Sequence, residues 1–276
     1  MTPEGMGDHP DLRGRAVCFR DFVGRRRFLY DDSGHGTHVC GILCGSGRLS
    51  GGRLRGMAPG VRLVLGKVLD RNGDGSTEAM LEGLDWVLEL REEYGIRIVN
   101  ISVGIGSLRE RRKEDLLQER IERLWRKGIL VVCAAGNKGP REGSISAVGG
   151  KCVVTVGCYD GSFAVGNPRS CELYSGRGFA GSPVRKPDLV APGTDILSCG
   201  LMSRGGQDRG TEPYVAKSGT SMATPIVAGA AALAFQTYPG MTNEECKRRL
   251  QFSATDLGLP WNRQGWGLLN VGRLLD

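Results

Sequence analysis

From residue 15 to residue 158 the chain alternates short apolar runs with longer stretches in which apolar residues recur at helical spacing. Arg15 to Phe19, Val61 to Leu69, Arg97 to Val103, Ile129 to Ala134 and Cys152 to Gly157 read as strands, because each is brief, rich in branched apolar residues and bounded by turn residues. Thr77 to Tyr94 places Met80, Leu81, Leu84, Val87 and Leu88 on one stripe and reads as an amphipathic helix. Leu108 to Lys127 reads as a charged helix, and a further helix starts at His35 and reaches Cys44. Strand and helix in alternation predict an α/β fold: a doubly wound, mostly parallel sheet with helices on both faces. Ligands of such sheets sit at the carboxyl ends of the strands, where Ser102 and Asn137 fall. No repeat, low-complexity segment or linker divides the chain, so residues 1–276 read as one domain.

Composition supports this picture. At 276 residues and 40% hydrophobic content the chain can bury a sizeable core. Aromatic residues are only 6%, so burial must rest on Val, Leu, Ile and Ala. The net charge of +7 invites a nucleic-acid reading at Arg25 to Arg27 and Leu108 to Lys113. Glu110, Glu114, Asp115, Glu119 and Glu122 interleave with the basic residues, as on a solvated helix face, and no aromatic platform accompanies them. Neither nucleic acid nor a membrane is expected as a partner. Nine cysteines, an odd number, with no visible signal peptide or spanning stretch, point to a reducing, cytoplasmic compartment. Cys40, Cys133 and Cys152 lie in apolar runs and read as core.

Candidate chemistry lies in three segments. Ser218 to Pro225 is a small polar turn that delivers Ser221 to the start of the apolar helix beginning near Ile226. Gly219 permits close backbone approach, and free amides at a helix N-terminus favour developing negative charge. The competing reading of this segment is an ordinary serine cap on a core helix. His35 in Gly34–Val39 and Asn137 after the apolar run 129–133 supply a base and a side-chain amide. Together these are the parts for acyl transfer: Ser221 attacks, His35 carries the proton, and Asn137 donates to the oxyanion.

With these residues in view, the chain resembles the subtilisin-like serine proteases, the subtilases. HGTHV around His35, AAGN ending at Asn137 and SGTSMATP around Ser221 occur in that family's order, and KPDLVAPG at 186–193 is similar to another of its segments. The resemblance implies a peptide-bond hydrolase acting on polypeptide substrates. It also implies that Ser102, Val103 and Gly104 pair with an extended substrate, while Ala134, Ala135 and Gly136 line a specificity pocket. An α/β-hydrolase would need a histidine after its serine, and none follows His38. Many subtilases bind structural calcium, but no site is identified here. Asp70, Asn72 and Asp74 resemble the start of a calcium loop, yet position 81 is Leu, so a polar turn is expected and no metal site is assigned.

The departure from the family lies at the other end. Subtilases carry a catalytic aspartate on a strand ahead of a segment like His9-Pro10-Asp11-Leu12, and here Pro3 falls on its position. The expectation adopted is an N-terminally incomplete domain, with an exposed apolar groove where that strand would lie and with low stability. A non-catalytic, peptide-binding pseudoprotease is the alternative, and a substitute carboxylate is a third. Asp31 and Asp32 precede His35 but read as helix-capping acids, and His9 reads as structural in a surface turn. His38 is expected to pack or hydrogen-bond beside the site. Substrate preference and oligomeric state are not legible.

Overall fold

The apolar runs form strands and the striped segments form helices, in the order β1 (Ala16–Asp21), α1 (His35–Cys44), β2 (Leu63–Lys67), α2 (Thr77–Tyr94), β3 (Ile98–Ile101), α3 (Arg111–Arg126), β4 (Leu130–Ala134), β5 (Val154–Cys158), β6 (Leu189–Ala191), β7 (Ile196–Cys199), β8 (Tyr214–Lys217), α4 (Thr220–Thr237), α5 (Asn243–Ser253), α6 (Trp261–Gln264) and α7 (Val271–Leu275). The computed structural model describes residues 5–103, 111–146, 150–161, 166–202 and 212–276. Helix α2 keeps its expected bounds because both ends are marked. The Ser76 hydroxyl accepts from the Ala79 N–H at 3.0 Å, and Gly95 closes the helix in the left-handed conformation.

Strand pairing is parallel for β1 with β2 and along β3, β4, β5 and β6, while β7 and β8 pair antiparallel. Every residue of β4 and β5 is buried, since helices cover both faces of the sheet. Leu130, Val132, Val154 and Val156 share a core with Leu43 of α1 and Ala228 and Ala231 of α4. Val131, Cys133 and Val153 point the other way, into a core with Leu84 of α2 and Leu117, Ile121 and Leu124 of α3. Period-two alternation thus divides one continuous apolar run between two cores.

The sheet is interrupted between β2 and β3. Among the described strands, β2 bonds only to β1 and β3 only to β4. A cavity of about 300 Å³ separates the two edges, lined by Leu63, Val64, Ile98 and Asn100 from the strands and by Val87 and Ala228 from the covering helices.

Several polar side chains are resolved differently from their sequence reading. His9 is 1% exposed and so is not at the surface: Nε2 donates to the Pro213 carbonyl at 2.8 Å and Nδ1 accepts from the Asp11 N–H. Its role is structural, as expected, but inside the fold. Asp31 does cap α1, accepting from the Ser33, Gly34 and Thr37 N–H groups. Asp32 does not; it pairs instead with the buried Lys67 at 2.7 Å. Asp70 accepts from the Asn72 and Asp74 N–H groups and forms a polar turn. Cys158 and Cys171 form a disulfide that sequence reasoning did not anticipate.

Asp188, from the KPDLVAPG segment, is buried between two lysines. Its Oδ2 accepts from Lys186 Nζ at 2.6 Å and from the Thr155 N–H, and Oδ1 meets Lys247 Nζ at 3.1 Å and Gln251 Nε2 at 3.0 Å. Burial alone would raise the Asp188 pKa, but the two ammonium groups and the hydrogen bonds outweigh it and hold the group below the usual carboxylate value. Removing one partner of such a buried set leaves charge without compensation. Asp188→Asn is expected to cost about 3–5 kcal/mol, read as a melting temperature lower by roughly 10 °C; an unchanged melting temperature would contradict this role.

His38 is fully buried, and its Nε2–H is shared between the Ile196 and Val215 carbonyls at 2.9 and 3.0 Å. Burial, followed by nearby positive charge, pushes its pKa down to about 4, so the ring stays neutral. The unfolded chain would take up this proton first, near the ordinary histidine value of about 6.5. Stability from this site is therefore full above that pH and is lost as pH falls towards 4, by about 3 kcal/mol in all. His38→Gln, which keeps a donor, should flatten that part of the stability profile measured by denaturant titration between neutral and acid pH.

Candidate active site

Helix α4 is built almost wholly of small apolar residues, and most of its length is buried against the sheet. Its first turn has no side-chain cap, so the N–H groups there are open to other partners. One partner is Asn137, just beyond β4: its Oδ1 accepts from the Thr220 N–H and from the Thr220 hydroxyl, both at 3.1 Å. The same hydroxyl accepts from the Gly136 N–H at 3.1 Å. With Oδ1 fixed in this way, the amide of the exposed Asn137 presents Nδ2 as a donor.

Gly219 makes that approach feasible. Its φ is +147°, a conformation glycine adopts readily, and a Cβ on it would lie 3.1 Å from Asn137 Nδ2. The Gly219 N–H donates to the Gly193 carbonyl at 2.8 Å. Beneath it, Asp160 accepts from the Gly193 and Thr194 N–H groups at 2.8 and 2.9 Å, and the Ser218 hydroxyl accepts from the Asp195 N–H at 2.8 Å. The turn before Ser221 is therefore fixed by a chain of backbone and side-chain bonds. Pro225 has no N–H for the Ser221 carbonyl four residues earlier, which loosens the first turn of the helix.

His35 is the first residue of α1, its N–H donating to the Ser33 hydroxyl at 3.1 Å. One turn later Val39 packs with Ile42 against Met222, the neighbour of Ser221. This contact sets α1 and α4 side by side, while Thr220 holds Asn137 at the start of α4. His35 and Ser221 are both half-buried. The ring Nδ1 of His35 is itself buried.

The remaining expected residues are placed as follows. Ser102 directly follows β3 and is fully buried, its hydroxyl accepting from Asn100 Nδ2 at 2.8 Å, and Val103 is half-buried. Gly104 lies outside the described residues. Ala134, Ala135 and Gly136 are buried, with the Ala135 N–H donating to the Val156 carbonyl and the Ala135 carbonyl accepting from the Ser146 N–H. Sequence reasoning missed Thr220, Asp160 and Gly193 as supports of the site. Thr220 stood within the quoted serine segment, but nothing in a linear reading shows that its hydroxyl reaches Asn137, 83 positions away.

Comparison with known proteins identifies the family. The Subtilase family model matches residues 5–267. The chain is 38% identical over 264 residues to the serine protease AprX of Bacillus subtilis (strain 168), an alignment covering 91% of this chain and 59% of AprX. It is 34% identical over 268 residues to subtilisin Savinase of Lederbergia lenta, covering 97% of this chain and 86% of that protein. Among solved structures, Sphericase superposes with a TM-score of 0.78 at 25% identity, covering 97% of this chain and 89% of its own. The chain thus spans about three fifths of the length of AprX. On the family match, the order of its motifs and the architecture of its sheet, this chain is a member of the subtilase family.

Proposed function

We propose that the chain hydrolyses peptide bonds through an acyl-enzyme on Ser221, with His35 as general base and then acid, and Asn137 as oxyanion donor. The observation that carries this reading is the pair of hydrogen bonds that the Thr220 N–H and hydroxyl donate to Asn137 Oδ1, which leaves Nδ2 a fixed donor beside the first turn of α4. In the first step the Ser221 hydroxyl adds to the substrate carbonyl as its proton passes to His35 Nε2. The carbonyl oxygen becomes an oxyanion, which Asn137 Nδ2 and the Ser221 N–H at the start of α4 stabilise without reorganising. Collapse expels the amine, which takes the proton from His35. Water then repeats the sequence, releasing the acid and restoring Ser221. The substrate is polypeptide, with Ser102, Val103, Gly104, Ala134, Ala135 and Gly136 as its contacts in this reading.

A second reading is favoured by one observation. The two aspartates nearest His35 in sequence are engaged elsewhere, Asp31 in capping α1 and Asp32 with Lys67. Under that reading the chain binds peptides without appreciable hydrolysis.

Treatment of the purified chain with a fluorophosphonate probe, followed by peptide mapping, separates the two. Labelling at Ser221 that is lost in Ser221→Ala supports the enzyme; folded protein without labelling supports the binding protein. Gly219→Ala, which drives a Cβ against Asn137 Nδ2, and Asn137→Leu, which removes the donor, are each expected to slow labelling or turnover by about 10²–10³-fold, the scale known for the oxyanion amide of a subtilisin. Unchanged rates in both variants would remove Asn137 from the mechanism.

A further inference from the structure

At the far end of α4 from Ser221 the surface holds a groove of about 930 Å³, bounded by the turn after that helix, by one side of α5 and by Arg273 of α7. A helix rises about 1.5 Å per residue, so Thr237 at the groove lies about 24 Å from Ser221 along the axis of α4. The groove is therefore separate from the candidate active site. Its wall is basic: Arg248, Arg249 and Arg273 line it, against one acid, Glu245. That acid is already engaged, its Oε2 accepting from the Thr242 N–H and hydroxyl, both at 2.8 Å, in the capping box that starts α5.

Arg249 is held in place before any ligand arrives. Its guanidinium lies 4.3 Å from the centre of the Tyr238 ring, Nε donates to the Leu274 carbonyl at 2.6 Å, and Nη2 donates to the Tyr238 hydroxyl at 2.7 Å. Little side-chain freedom is left to lose on binding, and the remaining N–H groups of the fork suit a carboxylate. Beside it Phe252 is 71% exposed, more than any other large apolar side chain among the described residues. The Phe252 ring meets Trp266 edge-on at 5.3 Å, and the Arg185 guanidinium lies 4.8 Å from the Trp266 ring centre. Arginine and aromatic side chains thus alternate over one surface, which is the composition of the residues that carry most of the energy at protein interfaces.

Charge selects the partner. A second copy of this chain docked face to face would set the same arginines against each other. A nucleic-acid backbone carries a charge at every phosphate, and this wall offers few counter-charges, since Arg248 is already paired with Glu244 at 2.6 Å. A short run of carboxylates matches the wall, and an aromatic ring within that run would cover Phe252. We propose that this groove docks an acidic polypeptide segment bearing an aromatic residue, its carboxylates on Arg249 and Arg273 and its ring on Phe252. Docking here is independent of whether Ser221 is reactive.

The test uses the full chain with Ser221→Ala, so that the probe is not consumed, and a fluorescein-labelled peptide in which glutamates flank a central Phe-Phe pair. Saturable binding by anisotropy is expected, weakening as salt is added. The double variant Arg248→Glu/Arg273→Glu alters only exposed side chains, and it should bind this peptide at least about tenfold more weakly with its melting temperature unchanged. A peptide with lysines in place of the glutamates should fail to bind the parent and should bind the double variant. Phe252→Ser should weaken binding of the glutamate peptide by about tenfold as well. Hydrogen exchange should slow over residues 238–242 and 249–253. Equal binding of the lysine peptide to the parent, an unchanged affinity in the double variant, or protection confined to residues 134–137 would overturn the proposal. So would the absence of binding to folded protein, or tighter binding of single-stranded DNA or phosphatidylglycerol vesicles at the same salt concentration.

Discussion

The anchoring of Asn137 to the first turn of α4 is the interaction on which the site depends. An apolar helix buried against a parallel sheet needs little from its own N-terminus for stability, because its length is secured by packing. That leaves its first N–H groups open to other partners. Thr220 uses one of them, with its hydroxyl, to hold Asn137 by its oxygen, which leaves the amide nitrogen as the donor. The glycine before it, the strap to Gly193 and the carboxylate of Asp160 serve the same arrangement at greater distance. A core helix and a reactive turn are thus one structural decision.

The opposing constraint is sheet continuity. Parallel strands buried on both faces must pair on both edges, since no water reaches their backbone groups. Among the described strands β4 and β5 meet this condition, and the inner edges of β2 and β3 do not. Around the interruption the side chains are mostly apolar, with Arg62, Tyr94, Arg97 and Asn100 also on its wall. The polar supports of the fold lie elsewhere: Asp188 with its lysines under β5 and β6, and His38 held neutral between β7 and β8.

Much of this was legible in the sequence, for identifiable reasons. β4 and β5 are unbroken apolar runs, and α2 carries both a stripe and end signals, so periodicity alone located them. His35, Asn137 and Ser221 stand out as candidates because each sits in a segment of unusual composition at the end of an apolar element. β6, with only three residues, and the β7–β8 pair are too short or too interrupted to show a period. Asp32 and His9 were misplaced because their partners, Lys67 and Pro213, are distant in the chain and give no local signal. The Cys158–Cys171 disulfide was illegible for a similar reason: spacing does not reveal which of nine cysteines meet.

The most direct measurement is a search for the acyl-enzyme itself. An activated ester would be mixed with the folded chain, the reaction quenched in acid, and the mass of the peptide containing Ser221 determined. The account predicts an added acyl group on Ser221 that accumulates with time and decays on return to neutral pH. A folded protein that hydrolyses the ester with no adduct on Ser221, or that forms the adduct equally well without His35, would contradict it.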